Sequence, residues 1–150
     1  MSNAWLKWGA GIAMATASMS ALTGCSATDY AVAEDLQGAV WCDLIALPIH
    51  NVDTITRRSL RVFFRVENDF REDTLTTFVR LTTPDSLRYE EPFAVTFPRD
   101  DAPASIRREA VVTYRRNVVL NQQGTYRFDI VPARRVEGIE AIGLNIVKSE

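Results

Sequence analysis

Between Leu60 and Ile146 apolar residues recur at every second position, and this period of two constrains the fold more than any other feature of the chain. Leu60, Val62, Phe64 and Val66 share one face of a strand, with Arg61, Arg65 and Glu67 on the other; Phe63 interrupts the pattern. Leu75, Thr77, Val79 and Leu81 form a second face, closed by the turn signal Thr83-Pro84-Asp85-Ser86. Leu87 and Tyr89, then Phe93, Val95 and Phe97, continue it around Glu90-Glu91-Pro92, where a proline without an N–H predicts a sheet edge or bulge. Val112, Tyr114, Val118 and Leu120 follow, then Tyr126, Phe128 and Ile130 beyond the turn Asn121–Gly124, and last Ile142, Leu144 and Ile146. With one strand around Trp41, seven or eight short strands are expected. No long helical period separates them, so the expected fold is all-β, an antiparallel β-sandwich of jelly-roll or immunoglobulin-like type. Arg99 to Ala110 reads as a long polar connection rather than a domain boundary.

The first 25 residues follow a different logic. A single cation, Lys7, precedes an uncharged run from Gly9 to Leu22 that is too short to span a bilayer, and Leu22-Thr23-Gly24-Cys25 closes it. Small residues before a cysteine let a peptidase grip extended backbone, and the thiolate can take a thioether-linked diacylglycerol. The segment therefore resembles a lipobox, with residues 1–24 a cleaved lipoprotein signal, Cys25 the lipid attachment site, 25–32 a lipidated tether and 33–150 one β-sandwich domain. Acyl chains on Cys25 make a lipid bilayer the first expected partner. Residues 26–30 carry no run of acidic residues.

Charge argues against nucleic acid. The formal net charge is −2, and removal of Lys7 with the leader makes it one unit more negative. The arginines are scattered among acidic and apolar residues rather than gathered into a patch. Chemistry-bearing residues are also sparse. If acylation consumes Cys25, Cys42 lacks a disulfide partner, and its apolar neighbours predict a buried, inert thiol. The one histidine, His50, eight positions on, offers a Cys-His pair as the alternative. The acidic pairs Glu72-Asp73, Glu90-Glu91 and Asp100-Asp101 are neighbours in sequence, and adjacent strand residues point to opposite faces, so solvated loop charges are expected in preference to general acid-base chemistry. Calcium on Asp100 and Asp101 is the alternative for that pair. The expectation is a protein without cofactor, metal or catalytic residues.

The C-terminal third carries a family resemblance. Asn121 to Ile130, Ala133 to Ile139 and Ala141 to Ile146 present a G-x-Y-x-F strand, an Arg-containing turn, a Gly-Ile pair and an I-G-L strand. Leu60 to Val66, Glu67-Asn68-Asp69-Phe70 and Leu75 to Leu81 supply a matching central hairpin, with Arg65 and Asn68 as its polar residues and Tyr30 and Trp41 as the aromatics after the cysteine. Together they resemble the gliding-motility lipoproteins of the GldH family of Bacteroidetes. The resemblance implies a structural or interaction role in the cell envelope, with partners in a motility or secretion apparatus; against the acidic run that resembles a surface-export signal in lipoproteins of that phylum, its lack at residues 26–30 points to an outer-membrane protein facing the periplasm. It also implies a host able to O-glycosylate exported proteins at Asp-Ser/Thr followed by a small or apolar residue. Asp53-Thr54-Ile55, Asp73-Thr74-Leu75 and Asp85-Ser86-Leu87 fit that triplet, making Thr54, Thr74 and Ser86 candidate acceptors, although Asp before Ser or Thr is also ordinary turn chemistry. The competing function is a carbohydrate- or ligand-binding β-sandwich, in which Tyr89, Phe93 and Tyr114 would form a stacking platform.

Overall fold

Alternation becomes burial in the strands that carry it. A computed structural model describes residues 28–97 and 108–149, which form β1 (Thr28–Asp35), β2 (Val40–Trp41), β3 (Ile45–Asn51), β4 (Arg57–Val66), β5 (Thr74–Thr82), β6 (Arg88–Thr96), β7 (Arg108–Val119), β8 (Gly124–Pro132), β9 (Val136–Glu137) and β10 (Ile139–Lys148). Leu60, Val62, Phe64 and Val66 are all buried, as are Tyr126, Phe128 and Ile130 and, on β10, Ile142, Leu144 and Ile146.

Eight long strands build two four-stranded sheets, β1-β10-β4-β7 and β3-β8-β5-β6, and the short β2 and β9 pair with each other. The pairing is nested and antiparallel: β1 with β10, β3 with β8, β4 with β7, β5 with β6. First with last and second with penultimate is the signature of one long hairpin rolled over itself, so of the two sandwich types expected this is the jelly roll. β6 is the edge strand that Pro92 predicts, with Pro92 opposite Phe78.

Two expectations need correction. Residues 28–32, read as tether, belong to β1, an edge strand hydrogen-bonded to β10 from Thr28 to Asp35. Cys42 is exposed, because Trp41 turns into the core and the next side chain faces out. Phe63, which breaks the alternation of β4, lies on the outer face of its sheet opposite Gly143 of β10, where a Cβ would overlap the Phe63 ring; the glycine makes room for the aromatic.

The sandwich has two distinct ends. At one, Trp41, Phe64, Phe97 and Phe70 form a chain of tilted and edge-to-face rings with centroids 6.0, 5.6 and 4.8 Å apart. The other end carries the start of β1, the end of β10 and the loops 52–56, 83–87 and 120–123 that join β3 to β4, β5 to β6 and β7 to β8.

Candidate functional site

The edge strands β6 and β7 belong to different sheets and do not pair, so the sandwich is open along this side. A cavity of about 600 Å³ occupies the gap. Its walls are Leu60, Val79, Leu81, Val118, Leu120 and Phe128, and Glu91, Tyr114 and Arg115 stand along it. Alternation on β6 explains the polar component: Glu91 faces the gap, while its neighbour Glu90 lies on the outer face in an ion pair with Arg80. The Glu91 carboxylate accepts from the Tyr114 hydroxyl and from Arg115 Nη2. The Arg115 guanidinium also lies over the Tyr114 ring, 5.1 Å from its centroid. Burial, reinforced by the hydrogen bond to Glu91, pushes the Tyr114 phenol well above its usual value, so it stays protonated and donates.

Of the three aromatics of the competing reading, Tyr89 and Tyr114 line this cavity and Phe93 does not. Phe93 and Tyr114 meet edge to face, centroids 5.3 Å apart with planes at 78°. Tyr89 stands exposed at the start of β6. Outside this edge, Arg80, Arg88, Tyr89, Arg127 and Asp129 line a second, more polar hollow of about 530 Å³, where Arg127 Nε lies 2.6 Å from Asp129 Oδ1.

The loops at the β1-start end are bound into one unit. Asn51 is buried, and its Nδ2 donates to the carbonyls of Leu120 and Gln122, both at 2.8 Å, while its Oδ1 accepts from Arg58 Nη1. Gln122 Nε2 donates to Asp85 Oδ2 at 2.9 Å, and Gln123 Nε2 to the Val52 carbonyl at 3.5 Å, so the middle loop ties the outer two together. Asp53 Oδ1 accepts the backbone N–H of Ile55 and of Thr56, each at 3.0 Å, and Oδ2 pairs with Arg58 at 3.1 Å. The Thr56 side-chain hydrogen bond, those two backbone donors and the nearby Arg58 charge lower the Asp53 carboxyl to about 2. Thr83 and Gln122 likewise hold the Asp85 carboxyl below the usual carboxylate range.

The candidate residues distribute unevenly over this frame. Cys25, Asp100 and Asp101 lie outside the described residues. Thr54 and Ser86 sit in the 52–56 and 83–87 loops, whereas Thr74 opens β5 at the opposite end; Ser86 and Thr74 are exposed, and Thr54 is half-buried. Asp53 and Asp85 therefore have the turn roles that their position before Thr and Ser also suggested. Cys42 and His50 are not brought together: Cys42 precedes β3 at the aromatic end, and His50 is exposed on β3 near the other. The Cys42 thiol donates to Asp43 Oδ2 at 3.4 Å, and that bond raises its pKa, which disfavours the reactive thiolate. Sequence reasoning missed Leu60, Val118, Leu120 and Phe128 as cavity walls, since alternation makes them indistinguishable from core. The only signal was Pro92, which marks the edge strand along which the gap opens.

No family model matches the chain, and no curated protein does. Among solved structures, the chain is similar to one from a virus, described as "Structure of infectious bursal disease virus Gx strain", at 13% identity and a TM-score of 0.36. The match covers 82% of this chain and 31% of that one, so the chain spans about a third of the viral protein's length. A likeness of that degree assigns neither family nor function.

Proposed function

We propose that this protein is a lipid-anchored component of the bacterial envelope, attached through Cys25 to the periplasmic face of the outer membrane, whose jelly roll works by binding other envelope components. The observation that carries the reading is the junction between leader and fold. Thr28, three residues after Cys25, already begins a sheet strand. Three residues span at most about 11 Å, so acyl chains on Cys25 would hold the jelly roll against the membrane rather than on a long flexible stalk. The resemblance to gliding-motility lipoproteins adds the class of partner, proteins of a motility or secretion apparatus. In cells, the wild-type chain should fractionate with outer membrane and Cys25→Ala with soluble periplasmic protein; equal distribution of the two refutes the anchor. Crosslinking in the native host, with identification of the linked proteins, tests the partner class.

The cavity favours a second reading, a ligand-binding jelly roll. Its walls suit a small apolar ligand with one polar group directed at Glu91 and Arg115. Saturable enhancement of anilinonaphthalene sulfonate fluorescence, abolished by Leu120→Trp in a variant of unchanged thermal stability, would favour it over the first reading.

A further inference from the structure

Large apolar side chains are exposed mainly at the end where β1 begins. Among the described residues, Val52, Ile55, Leu87, Tyr89 and Val111 are more than half exposed, and all but Val111 lie in the 52–56 and 83–87 loops or at the start of β6 beside them. Ile55 is 84% exposed and Val52 68%, on a loop that the Asp53 hydrogen bonds and Asn51 hold rigid. A folded chain does not gain from presenting isoleucine to water on a fixed turn, and exposed apolar clusters with a polar border mark contact surfaces. Arg57, Arg88 and Lys148, the terminal residues of their strands, are exposed at the same end. Asp53 and Asp85 at this end are engaged within the fold, Asp53 with Arg58 and the loop backbone, Asp85 with Thr83 and Gln122. Apolar tips and an aromatic beside outward cations match the chemistry of a phospholipid interface, where short apolar groups enter the acyl boundary and cations meet phosphate.

We infer that this end of the jelly roll docks on the phospholipid bilayer, with Ile55, Val52 and Leu87 entering the interface and Arg57, Arg88 and Lys148 facing lipid phosphates. The position of β1 selects the bilayer over other occupants. The chain enters the fold at this end, three residues from Cys25, so the tips and the anchor address the same surface. The inference rests on acylation of Cys25. It also conflicts with one expectation drawn from the family resemblance: a glycan on Thr54 or Ser86 would occupy the docking surface, whereas one on Thr74 would not.

The test uses full-length protein, processed in cells, purified and reconstituted into phosphatidylethanolamine–phosphatidylglycerol vesicles bearing nitroxide-labelled acyl chains. Ile55→Trp and Val111→Trp are compared; the native Trp41 is fully buried at the opposite end and provides a constant background. Intact mass establishes acylation of each sample. With acylated protein, the indole at 55 should lose about half its emission to the nitroxides and the indole at 111 almost none. Acylated protein in which both are quenched alike, or neither is, overturns the docking and leaves the anchor standing. A mass showing unacylated Cys25 overturns both. Hexose increments localised to Thr54 or Ser86 overturn the docking alone.

Discussion

The two ends of the jelly roll treat apolar side chains in opposite ways. At the aromatic end Trp41, Phe64, Phe70 and Phe97 turn inward and pack ring on ring, and Trp41 Nε1 finds the Asp43 carbonyl at 2.9 Å. At the end where β1 begins the interior keeps a cavity, the loops are held by hydrogen bonds to Asn51 and Gln122, and isoleucine, valine and leucine point outward. Ring packing is thus concentrated at the end far from the start of β1, whereas the end where β1 begins keeps open space inside and hydrogen-bonded loops outside.

The contrast predicts unequal costs. Phe64→Ala removes the ring that joins Trp41 to Phe97 and should lower stability by about 3–5 kcal/mol in urea or thermal unfolding. A loss below about 1 kcal/mol would mean that the aromatic end is not the densely packed one. Asn51→Ala leaves the Leu120 and Gln122 carbonyls and Arg58 without their shared partner, and should cost about 1–3 kcal/mol. Because Asn51 joins the loops, its loss should also accelerate amide exchange in 120–123 ahead of the aromatic end. Val118→Leu adds a methylene to a wall with free space, so stability in thermal unfolding should hold or rise by up to about 1 kcal/mol; the same enlargement at the tightly enclosed Val66 should lower it. The smallest effect concerns protons. The folded-state pKa of Asp53 lies near 2, below the unfolded value of about 4, so the carboxylate contributes stability above pH 4 that is lost as pH falls toward 2. The stability gap between wild type and Asp53→Asn should be fully open at pH 5 and narrow steeply as pH falls toward 2, as followed by acid titration of urea unfolding; a gap independent of pH would remove Asp53 from the account of the loop.

Much of this frame is written locally in the sequence. The faces of β4, β5, β8 and β10 follow from residues two apart, because burial on one side of a pleat imposes that spacing. Pro92 identifies an edge because a missing N–H is a local property. What was not legible is non-local. Thr28–Asp35 carries no clean alternation; it is a strand because β10 supplies its hydrogen bonds more than 100 positions away, and an edge strand with a half-exposed face needs few buried residues. Jelly roll and immunoglobulin-like sandwich differ in pairing order rather than in residue pattern. Leu87 and Tyr89 share the parity of core residues yet stand exposed, because β6 begins at the open edge. Cys42 reads as core from its neighbours, and only the inward turn of Trp41 reveals that it faces out.

Hydrogen exchange on the acylated protein, with and without phospholipid vesicles, addresses the asymmetry of the two ends most directly. The account predicts that vesicles slow exchange in residues 52–56 and 83–87, at the end where β1 begins, and leave the segment around Trp41 and Phe70 unchanged. Protection spread evenly over both ends, or confined to the aromatic end, would contradict it.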